Sequence, residues 1–460
     1  MKFTGCNLIF RYRGSLWPSA FKNINHGTNG ISIAEIFSVL NKILFFFAQV
    51  RYNEAESLLG LQRFRIFFRQ YRLKIQYPVQ EVIMAGSTFG NHFKITTWGE
   101  SHGRGIGVVI DGCPAGLSLD ETDIQKFLDR RKPGQSKFST QRKEADSAEI
   151  LSGIFEGKTT GTPISLLVFN KDQHSKDYGE IANYYRPGHA DYTFDMKYGF
   201  RDYRGGGRSS GRETIGRVAA GAVAAKILKQ LGVTFLTYAR SIGPVSISSS
   251  PQELLSGDLS ELSEKIQSSP LYMPEELPCQ QAQEFLQTCM ADKDSAGGII
   301  ECTITGVPAG IGEPVFEKLD ANLAKAVFSI GAVKGFEIGD GFAAAAALGS
   351  ENNDSFERKD REIRTATNHA GGILGGISNG MPIIFRAAVK PTPSIASLQN
   401  TITRNGEPLE ISIHGRHDPI IVPRAVVVVE SMAALTLLDL MMEQMGSRME
   451  SLEGFYKTRS

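Results

Sequence analysis

From residue 84 onward, apolar positions fall into short β-rich runs followed by stretches with helical spacing, which predicts a mixed α and β chain. Residues 105–111 predict a strand. Residues 118–132 predict a helix, with Ser118 and Glu121 at capping-box spacing and basic residues in the last turn. This order of elements favours a packed domain over a fibrous or disordered chain.

Later segments extend the pattern. Residues 211–231 predict a second helix, and its face of small residues predicts close packing in the interior. Residues 420–430 predict a strand, and residues 431–448 predict an amphipathic helix. The alanine run at 343–347 predicts helix or packed core, and the Ser-, Glu- and Pro-rich segment 246–292 predicts a peripheral excursion.

Two sequence elements occur twice, in the same order. Gly-Cys-Pro-Ala-Gly at 112–116 recurs as Gly-Val-Pro-Ala-Gly at 306–310. Residues 153–164 and 372–383 both fit the pattern G-I-[FL]-x-G-x-[TS]-x-G-x-P-I. The repetition predicts a duplicated α/β unit within one integrated domain, with a ligand cleft where the two halves meet.

The first 83 residues differ from the rest of the chain. They are rich in Phe and Arg, and their acids are Glu35, Glu54, Glu56 and Glu81. The apolar run at 36–50 is interrupted and too short for a membrane span. We expect residues 1–83 to be a disordered, dispensable or mis-assigned extension, with an organelle-targeting segment as the alternative. Residues 84–460 are expected to form a single domain.

Composition narrows the class of protein. The 460 residues carry a formal net charge of +1. The chain therefore lacks the excess of positive charge that is typical of proteins that coat nucleic acid or bind a membrane surface. The five cysteines show neither metal nor disulfide spacing, so they predict reduced thiols and no structural metal. We therefore expect a cytoplasmic protein, or a plastid protein if residues 1–83 are a transit peptide.

Two histidines, His102 and His189, lie in glycine-bounded turns. Imidazole changes charge near neutral pH, so both are candidate proton donors. The structural alternative is a capping or packing role. Cationic residues that could hold phosphate or carboxylate cluster nearby in the sequence: Arg130, Arg131, Lys137, Arg186, Arg204, Arg208 and Arg212.

The loop Arg-Gly-Gly-Gly-Arg-Ser-Ser-Gly-Arg at 204–212 precedes the second predicted helix. A helix N-terminus with free N–H groups suits a phosphate. The same composition in a disordered chain would resemble an RNA-binding box, but here the loop occurs once and between patterned segments. The spacing of a Walker A loop is absent.

Three later clusters carry further candidate chemistry. Residues 368–376 offer backbone amides to a flat or anionic ligand, and residues 390–394 form a rigid turn with a cation and two hydroxyls. In the segment 415–419, Asp418 precedes a proline and is either a turn residue or a base held ionised by the adjacent Arg416.

These motifs together resemble the chorismate synthase family. The resemblance rests on eight segments in the family's order: GESHG at 99–103, RRKPGQS at 130–136, RPGHADYT at 186–193, YRGGGRSSGRET at 203–214, SIGAVKGFEIGDGF at 329–342, NHAGGILGGIS at 368–378, KPTPS at 390–394 and GRHDP at 415–419.

The resemblance implies a fold and an activity. The fold would be a β-α-β sandwich of the α+β class, with helices between antiparallel sheets and an internal pseudo-repeat, in a homotetramer. The activity would be the anti 1,4-elimination of phosphate from 5-enolpyruvylshikimate 3-phosphate to give chorismate. Reduced FMN would be required, although the reaction involves no net redox change. The flavin would be reduced with NADPH or by an external flavin reductase.

The resemblance also implies residue roles. His102 would protonate the departing phosphate, His189 would stabilise the reduced flavin, and Asp418 would serve in hydrogen removal through the flavin N5 position. Arg131 and Lys137 would hold substrate anions or a nicotinamide nucleotide. The residues expected to contact FMN are Arg208, Ser209, Ser210, Gly331, Ala332, Gly375, Lys390, Pro391, Thr392, Pro393, Ser394 and Arg416.

Some positions depart from the family pattern. Gly211 stands where Ala is usual, which weakens the helix start, and Lys137 stands where Arg is usual, which replaces a bidentate fork by a point charge. Neither departure removes a proposed catalytic group.

Two rival functions remain: an inactive phosphate- or flavin-binding homologue, and an RNA-binding module that uses the Arg-Gly loop. The retention of His102, His189 and Asp418 opposes the first, and the balanced charge opposes the second.

Overall fold

The computed structural model describes residues 86–138, 145–170, 180–359, 362–413 and 418–457. The predictions for residues 1–83 and for Arg416 lie outside these ranges. The chain from Ala85 onward forms one compact unit.

Eighteen strands are present in the described residues. In chain order they are β1 (Thr88–Phe89), β2 (Lys94–Gly99), β3 (Gly105–Asp111), β4 (Ala148–Ile150), β5 (Ile154–Phe155), β6 (Lys158–Thr159), β7 (Ile164–Phe169), β8 (Thr234–Ile242), β9 (Val245–Ser246), β10 (Gly298–Thr305), β11 (Val333–Ile338), β12 (Phe356–Lys359), β13 (Glu362–Thr365), β14 (Ile373–Leu374), β15 (Ile377–Ser378), β16 (Ile383–Val389), β17 (Gln399–Ile402) and β18 (Pro408–Ile411).

The α-helices of the described residues are α1 (Glu121–Arg131), α2 (Asp191–Tyr198), α3 (Thr214–Gln230), α4 (Pro251–Leu255), α5 (Leu259–Ser268), α6 (Glu276–Ala291), α7 (Leu319–Phe328), α8 (Gly349–Asn352), α9 (Val422–Gln444) and α10 (Met449–Lys457). Short 3-10 turns cover Glu180–Asn183, Gly207–Ser209, Gly211–Glu213 and Gly341–Ala346.

Two antiparallel five-stranded sheets enclose the long helices. The first sheet has the order β1-β2-β3-β7-β4, and the second has the order β11-β16-β10-β8-β9. Helix α3 packs on β2, β3 and β7, α9 packs on β8 and β10, and the two helices pack on each other. Gly221 of α3 permits this contact, because an added Cβ would lie 2.3 Å from the Cβ of Ser431 on α9. The predicted α+β sandwich with helices between antiparallel sheets is confirmed.

The internal repeat is visible at the level of single hydrogen bonds. Gly116 donates its N–H to the Thr159 carbonyl at 2.8 Å, and Gly310 donates to the Ser378 carbonyl at 2.9 Å. The hydroxyls of Thr159 and Ser378 each donate to the proline carbonyl of their own repeat at 2.6 Å. Hairpin β5–β6 therefore corresponds to β14–β15, and the predicted pseudo-repeat is confirmed.

Several local predictions are confirmed or corrected. The strand at 105–111 is β3, and the helix predicted at 211–231 is α3, preceded by a 3-10 turn. The N-cap of α1 is Asp120 with Asp123 at N3, two residues after the predicted cap. The alanine run follows Phe342 in an exposed 3-10 turn rather than in packed core.

The largest error concerns α9. Residues 420–430, predicted as a strand, form the first part of a 23-residue helix that begins at Val422 with Pro423 in its first turn. The helix is not amphipathic: it is long and apolar enough to cross a membrane, but 89% of its most apolar window is buried inside the protein, which is typical of a core helix. Burial on every side removes the helical period, and the β-branched run then resembles a strand.

Candidate functional site

The loop before α2 holds His189. Arg186 and Asp191 close this loop with a bidentate ion pair at 2.8 Å on each arm, and both side chains are buried. The Nδ1 atom of His189 lies 2.9 Å from the carbonyl oxygen of Pro187. A carbonyl only accepts, so Nδ1 carries the proton and Nε2 of the neutral ring accepts from the Ser394 hydroxyl at 2.8 Å.

The electrostatic surroundings of His189 favour the neutral ring. Burial, aided by the positive charge of Arg186, lowers the pKa of His189 from 6.5 to about 4. The ring is therefore a neutral hydrogen-bonding group at pH 7, with a defined tautomer, rather than a protonated acid.

The predicted turn at 390–394 docks on this histidine loop. The Lys390 ammonium donates to the Gly188 carbonyl at 2.9 Å, and the Lys390 amide donates to the Ala332 carbonyl at 2.9 Å. Ala332 has a positive φ of 73°, which aims that carbonyl at the turn. The structure therefore brings together His189, Lys390, Ser394 and Ala332, four of the predicted site residues.

His102 lies in a second cluster. Its Nδ1 is 3.2 Å from the hydroxyl oxygen of Ser101, which also donates to the Gly205 carbonyl at 3.3 Å. A Cβ on Gly205 would lie 2.2 Å from Cε1 of His102, so only glycine allows this approach. The GESHG turn and the Arg-Gly loop, predicted separately, thus form one cluster.

The side chains of the Arg-Gly loop bind mainly within the protein. Arg208 donates to the Gly99 carbonyl at 3.1 Å and to the Thr97 carbonyl at 3.2 Å. The Ser209 hydroxyl donates to the Gly206 carbonyl at 2.7 Å, and Ser210 caps the following 3-10 turn. Of these three residues predicted to contact FMN, Arg208 holds the loop on β2, and Ser209 and Ser210 make hydrogen bonds within the loop.

Asp418 is half-buried at the start of α9. Its Oδ2 atom accepts from the Nη1 of Arg424 at 2.5 Å, in an ion pair whose side chains are 11% and 21% exposed. Arg424 also donates through Nε to the Arg131 carbonyl at 3.0 Å. Arg424 lines a shallow cleft together with Gln135, Ser136, Phe138, Tyr272 and Pro423, three of which lie in or beside the RRKPGQS motif.

The two residues predicted to hold substrate or nucleotide anions differ in their surroundings. The side chain of Arg131 is 2% exposed, and its guanidinium pairs with Asp146, which also accepts from Arg212 at 3.2 Å. Lys137 is exposed, and its ammonium lies 5.0 Å from the centre of the Phe138 ring. Arg131 therefore sits inside a salt-bridge network, whereas Lys137 faces solvent.

Gly331 and Gly375 lie apart from each other. Gly331 follows the C-terminus of α7. Gly375 is in the β14–β15 turn at the other end of that helix, where the neighbouring Gly376 carbonyl accepts the N–H of Leu319. A helix of 10 residues spans about 15 Å. An added Cβ would meet no atom within 4 Å at either glycine, so both present open backbone.

Three residues that support these clusters were missed by the sequence interpretation: Arg424, Asp146 and Asn170. Asn170 donates to the carbonyls of Glu100 and Gly103, the two ends of the turn that carries His102. Its Oδ1 accepts from Arg212 at 2.9 Å. For Arg424 a signal existed, since an Arg beside Pro in the first turn of a helix lies close to the preceding loop.

Fold and site define an enzyme of the α+β class, with histidine, arginine and lysine side chains on loops of a duplicated two-sheet sandwich. The sequence profile described as chorismate synthase matches residues 93–442. The chain belongs to the chorismate synthase family, whose members are lyases of aromatic biosynthesis.

Named relatives agree with this assignment. The chorismate synthase of Agathobacter rectalis is 64% identical over 374 residues, covering 81% of this chain and 100% of the relative. That of Methanosarcina mazei is 55% identical over 360 residues, covering 78% of this chain and 97% of the relative. A solved crystal structure of a chorismate synthase is 31% identical, with a TM-score of 0.62, and covers 81% of this chain and 98% of that one.

Proposed function

We propose that this protein converts 5-enolpyruvylshikimate 3-phosphate to chorismate by anti 1,4-elimination of phosphate, with reduced FMN as cofactor and no net redox change. Family membership supports the activity. The observation that carries the proposal is the docking of the His189 loop on the 390–394 turn, since it assembles a cation, a hydroxyl and a neutral imidazole from motifs two hundred residues apart.

The residues around that turn fit a flavin phosphate and ring. The Thr392 hydroxyl oxygen is buried and has no hydrogen-bond partner among the described residues, which leaves a donor for a ligand oxygen. Gly331 offers open backbone beside Ala332. We propose that Ala332, Lys390, Thr392 and Ser394 hold FMN, with Gly331, Gly375, Pro391, Pro393, Arg208, Ser209, Ser210 and Arg416 completing the contacts.

The protein's own groups would share the reaction between three places: the His102 turn, the Asp418–Arg424 pair and the His189 loop. Reduced FMN, when bound, supplies electron density to the substrate ring as the carbon–oxygen bond breaks. His102 donates a proton to the departing phosphate, and Asp418 is the base of the hydrogen-removal step. His189 stays neutral, and its fixed tautomer orients polar groups beside the cofactor.

We also propose the partners that the family resemblance implies. Lys137, exposed beside the cleft lined by Arg424, would attract substrate or nicotinamide nucleotide anions, and Arg131 would contribute from the buried side. NADPH or an external reductase would supply electrons to the flavin, and the active form would be a homotetramer in the cytoplasm.

The catalytic unit is proposed to be residues 84–460. The family profile begins at residue 93, and the whole Agathobacter rectalis relative aligns with 374 residues of this chain. Residues 1–83 would then be dispensable for activity.

The test is anaerobic turnover of 5-enolpyruvylshikimate 3-phosphate with chemically reduced FMN, followed by chorismate absorbance, for the full chain and for residues 84–460. Product that requires reduced flavin, at equal rates for both forms, supports both proposals. Folded, FMN-binding protein that yields no product would establish the inactive homologue instead.

A further inference from the structure

Arg424 is placed to hold Asp418 in a single orientation. Its Nη1 donates to the Asp418 carboxylate at 2.5 Å while its Nε donates to the Arg131 carbonyl at 3.0 Å. The planar guanidinium makes the two bonds from one rigid group, so neither partner can shift without disturbing the other. The Asp418 carboxylate is thereby held in a fixed position relative to Arg131 at the C-terminus of α1.

From Arg131 the connections continue through the interior. The Arg131 guanidinium pairs with Asp146, whose side chain is 0% exposed. The second oxygen of Asp146 accepts from Arg212 at 3.2 Å, and Arg212 donates to Asn170 at 2.9 Å. A buried carboxylate between two guanidiniums is strongly held, because removal of any partner leaves a charge without compensation.

The far end of this network is the turn that carries His102. The Asn170 amide donates to the Glu100 carbonyl at 3.0 Å and to the Gly103 carbonyl at 2.8 Å. These two carbonyls bracket His102 in the chain, so the amide fixes the turn from both sides. One continuous set of hydrogen bonds and ion pairs, which passes through the backbone carbonyl and the side chain of Arg131, therefore links the turn of His102 to Asp418.

We propose that Arg424 and Asn170 are positioning residues at the two ends of this network, which places Asp418 and the His102 turn relative to each other. The inference rests on the proposed function, because it assigns the two placed groups to the same elimination. Misplacement of a reacting group by about 1 Å can cost about 100-fold in rate.

Arg424→Gln and Arg424→Lys test the Asp418 end, with substrate deuterated at the ring carbon that loses its hydrogen. For Arg424→Gln we expect kcat to fall about 100-fold, with KM changed less than threefold and a larger primary isotope effect than wild type. Lys keeps the charge but loses the fork, so Arg424→Lys should recover part of kcat and retain part of the raised isotope effect. It also serves if the Gln variant fails to fold.

Arg240→Gln is the matched control. Arg240 also donates to a buried carboxylate, Glu301, and to a backbone carbonyl, that of Ser249, each at 3.1 Å, and its side chain is 23% exposed. This control is expected to leave the isotope effect unchanged. If Arg424→Gln lowers kcat without raising the isotope effect, as a general packing defect would, the positioning role of Arg424 is wrong.

A double-mutant cycle tests the network itself. Asn170→Asp keeps the shape of the side chain but removes the amide that binds the two carbonyls. If one network positions both groups, the fold-reduction of kcat in the variant that combines Asn170→Asp with Arg424→Lys should be smaller than the product of the fold-reductions in the two single variants. Losses that multiply would refute the network. Wild-type protein that forms no chorismate would instead refute the proposed function.

Discussion

At His189 the two ring nitrogens have different partners, and this difference determines what the ring can do. The Pro187 carbonyl fixes the proton on Nδ1, and the Ser394 hydroxyl then donates to Nε2. A ring held in this way orients its neighbours but has little capacity to give up a proton at neutral pH.

The folded-state pKa of His189, about 4, predicts how the stability of the protein depends on pH. Between pH 6.5 and about 4 the unfolded chain binds a proton at this histidine and the folded protein does not. The His189 contribution to the free energy of unfolding should therefore fall as the pH falls through this window. Thermal melts from pH 7 to pH 4 should show a steeper loss of Tm for wild type than for His189→Gln.

NMR of the imidazole carbon–proton pairs provides the direct check. The resonance of His189, identified by its absence from the variant, should titrate near pH 4. Titration of His189 near pH 6.5, with parallel melts for both proteins, would contradict the prediction.

The interaction partner of a site residue could be predicted where one motif contains both residues. It could not be predicted where the partner comes from another element of the fold. The sequence interpretation placed Arg416 beside Asp418 as the cation that would hold it ionised. The structure supplies Arg424, in the first turn of α9, and Arg416 lies outside the described residues. The hydrogen bond between His189 and Ser394 joins positions 205 residues apart, which no local spacing reveals.

Two glycines, one in helix α3 and one in the 3-10 turn before it, have opposite surroundings. At Gly221 a Cβ would lie 2.7 Å from the backbone Cα of Ser431, so Gly221→Ala should destabilise the protein by about 1–3 kcal/mol. At Gly211, in the 3-10 turn before α3, a Cβ meets nothing within 4 Å, and φ is outside the left-handed region. Gly211→Ala should stabilise by about 0.4–1 kcal/mol.

Urea unfolding of the two variants, monitored by circular dichroism, measures both values. The two alanines serve as mutual controls, since they alter one helical segment by the same methyl group. Equal effects, or a neutral Gly221→Ala, would show that α3 and α9 do not approach as closely as described.

At the element scale, prediction worked where the residue types agree with the observed element. The alanine-rich α3 is buried on most sides and was still predicted as a helix, because alanine favours helices. Helix α1 keeps a stripe of buried residues on one face, including Ile124 and Leu128. The first half of α9 does not, because Val426–Val429 is buried on every side between a sheet and α3. The overall sandwich was identified through the family motifs, and the repeat was visible because its glycines mark turns.

For the whole molecule, exposed apolar side chains on one hairpin bear on assembly. Phe356 and Ile363 lie on the same face of β12–β13 and are 66% and 74% exposed. An isolated two-stranded hairpin is at best marginally stable, and large exposed apolar side chains mark contact surfaces. We therefore expect this face to be covered in the proposed tetramer.

Replacing Phe356 and Ile363 by Ser together should reduce the molar mass measured by light scattering at micromolar concentration. Glu357→Ser, on the opposite face of the same hairpin, should leave the mass of the wild type unchanged. A double variant that keeps the wild-type mass would show that the tetramer contact lies elsewhere.

The matched hydroxyls of Thr159 and Ser378 show that the same turn occurs in both halves of the chain. The site residues are not repeated: His102 and the Arg-Gly loop lie in the N-terminal part of the chain, and Asp418 and the 390–394 turn lie in the C-terminal part. The site is therefore asymmetric although the turns of the two halves match, and one half expressed alone would lack part of the chemistry.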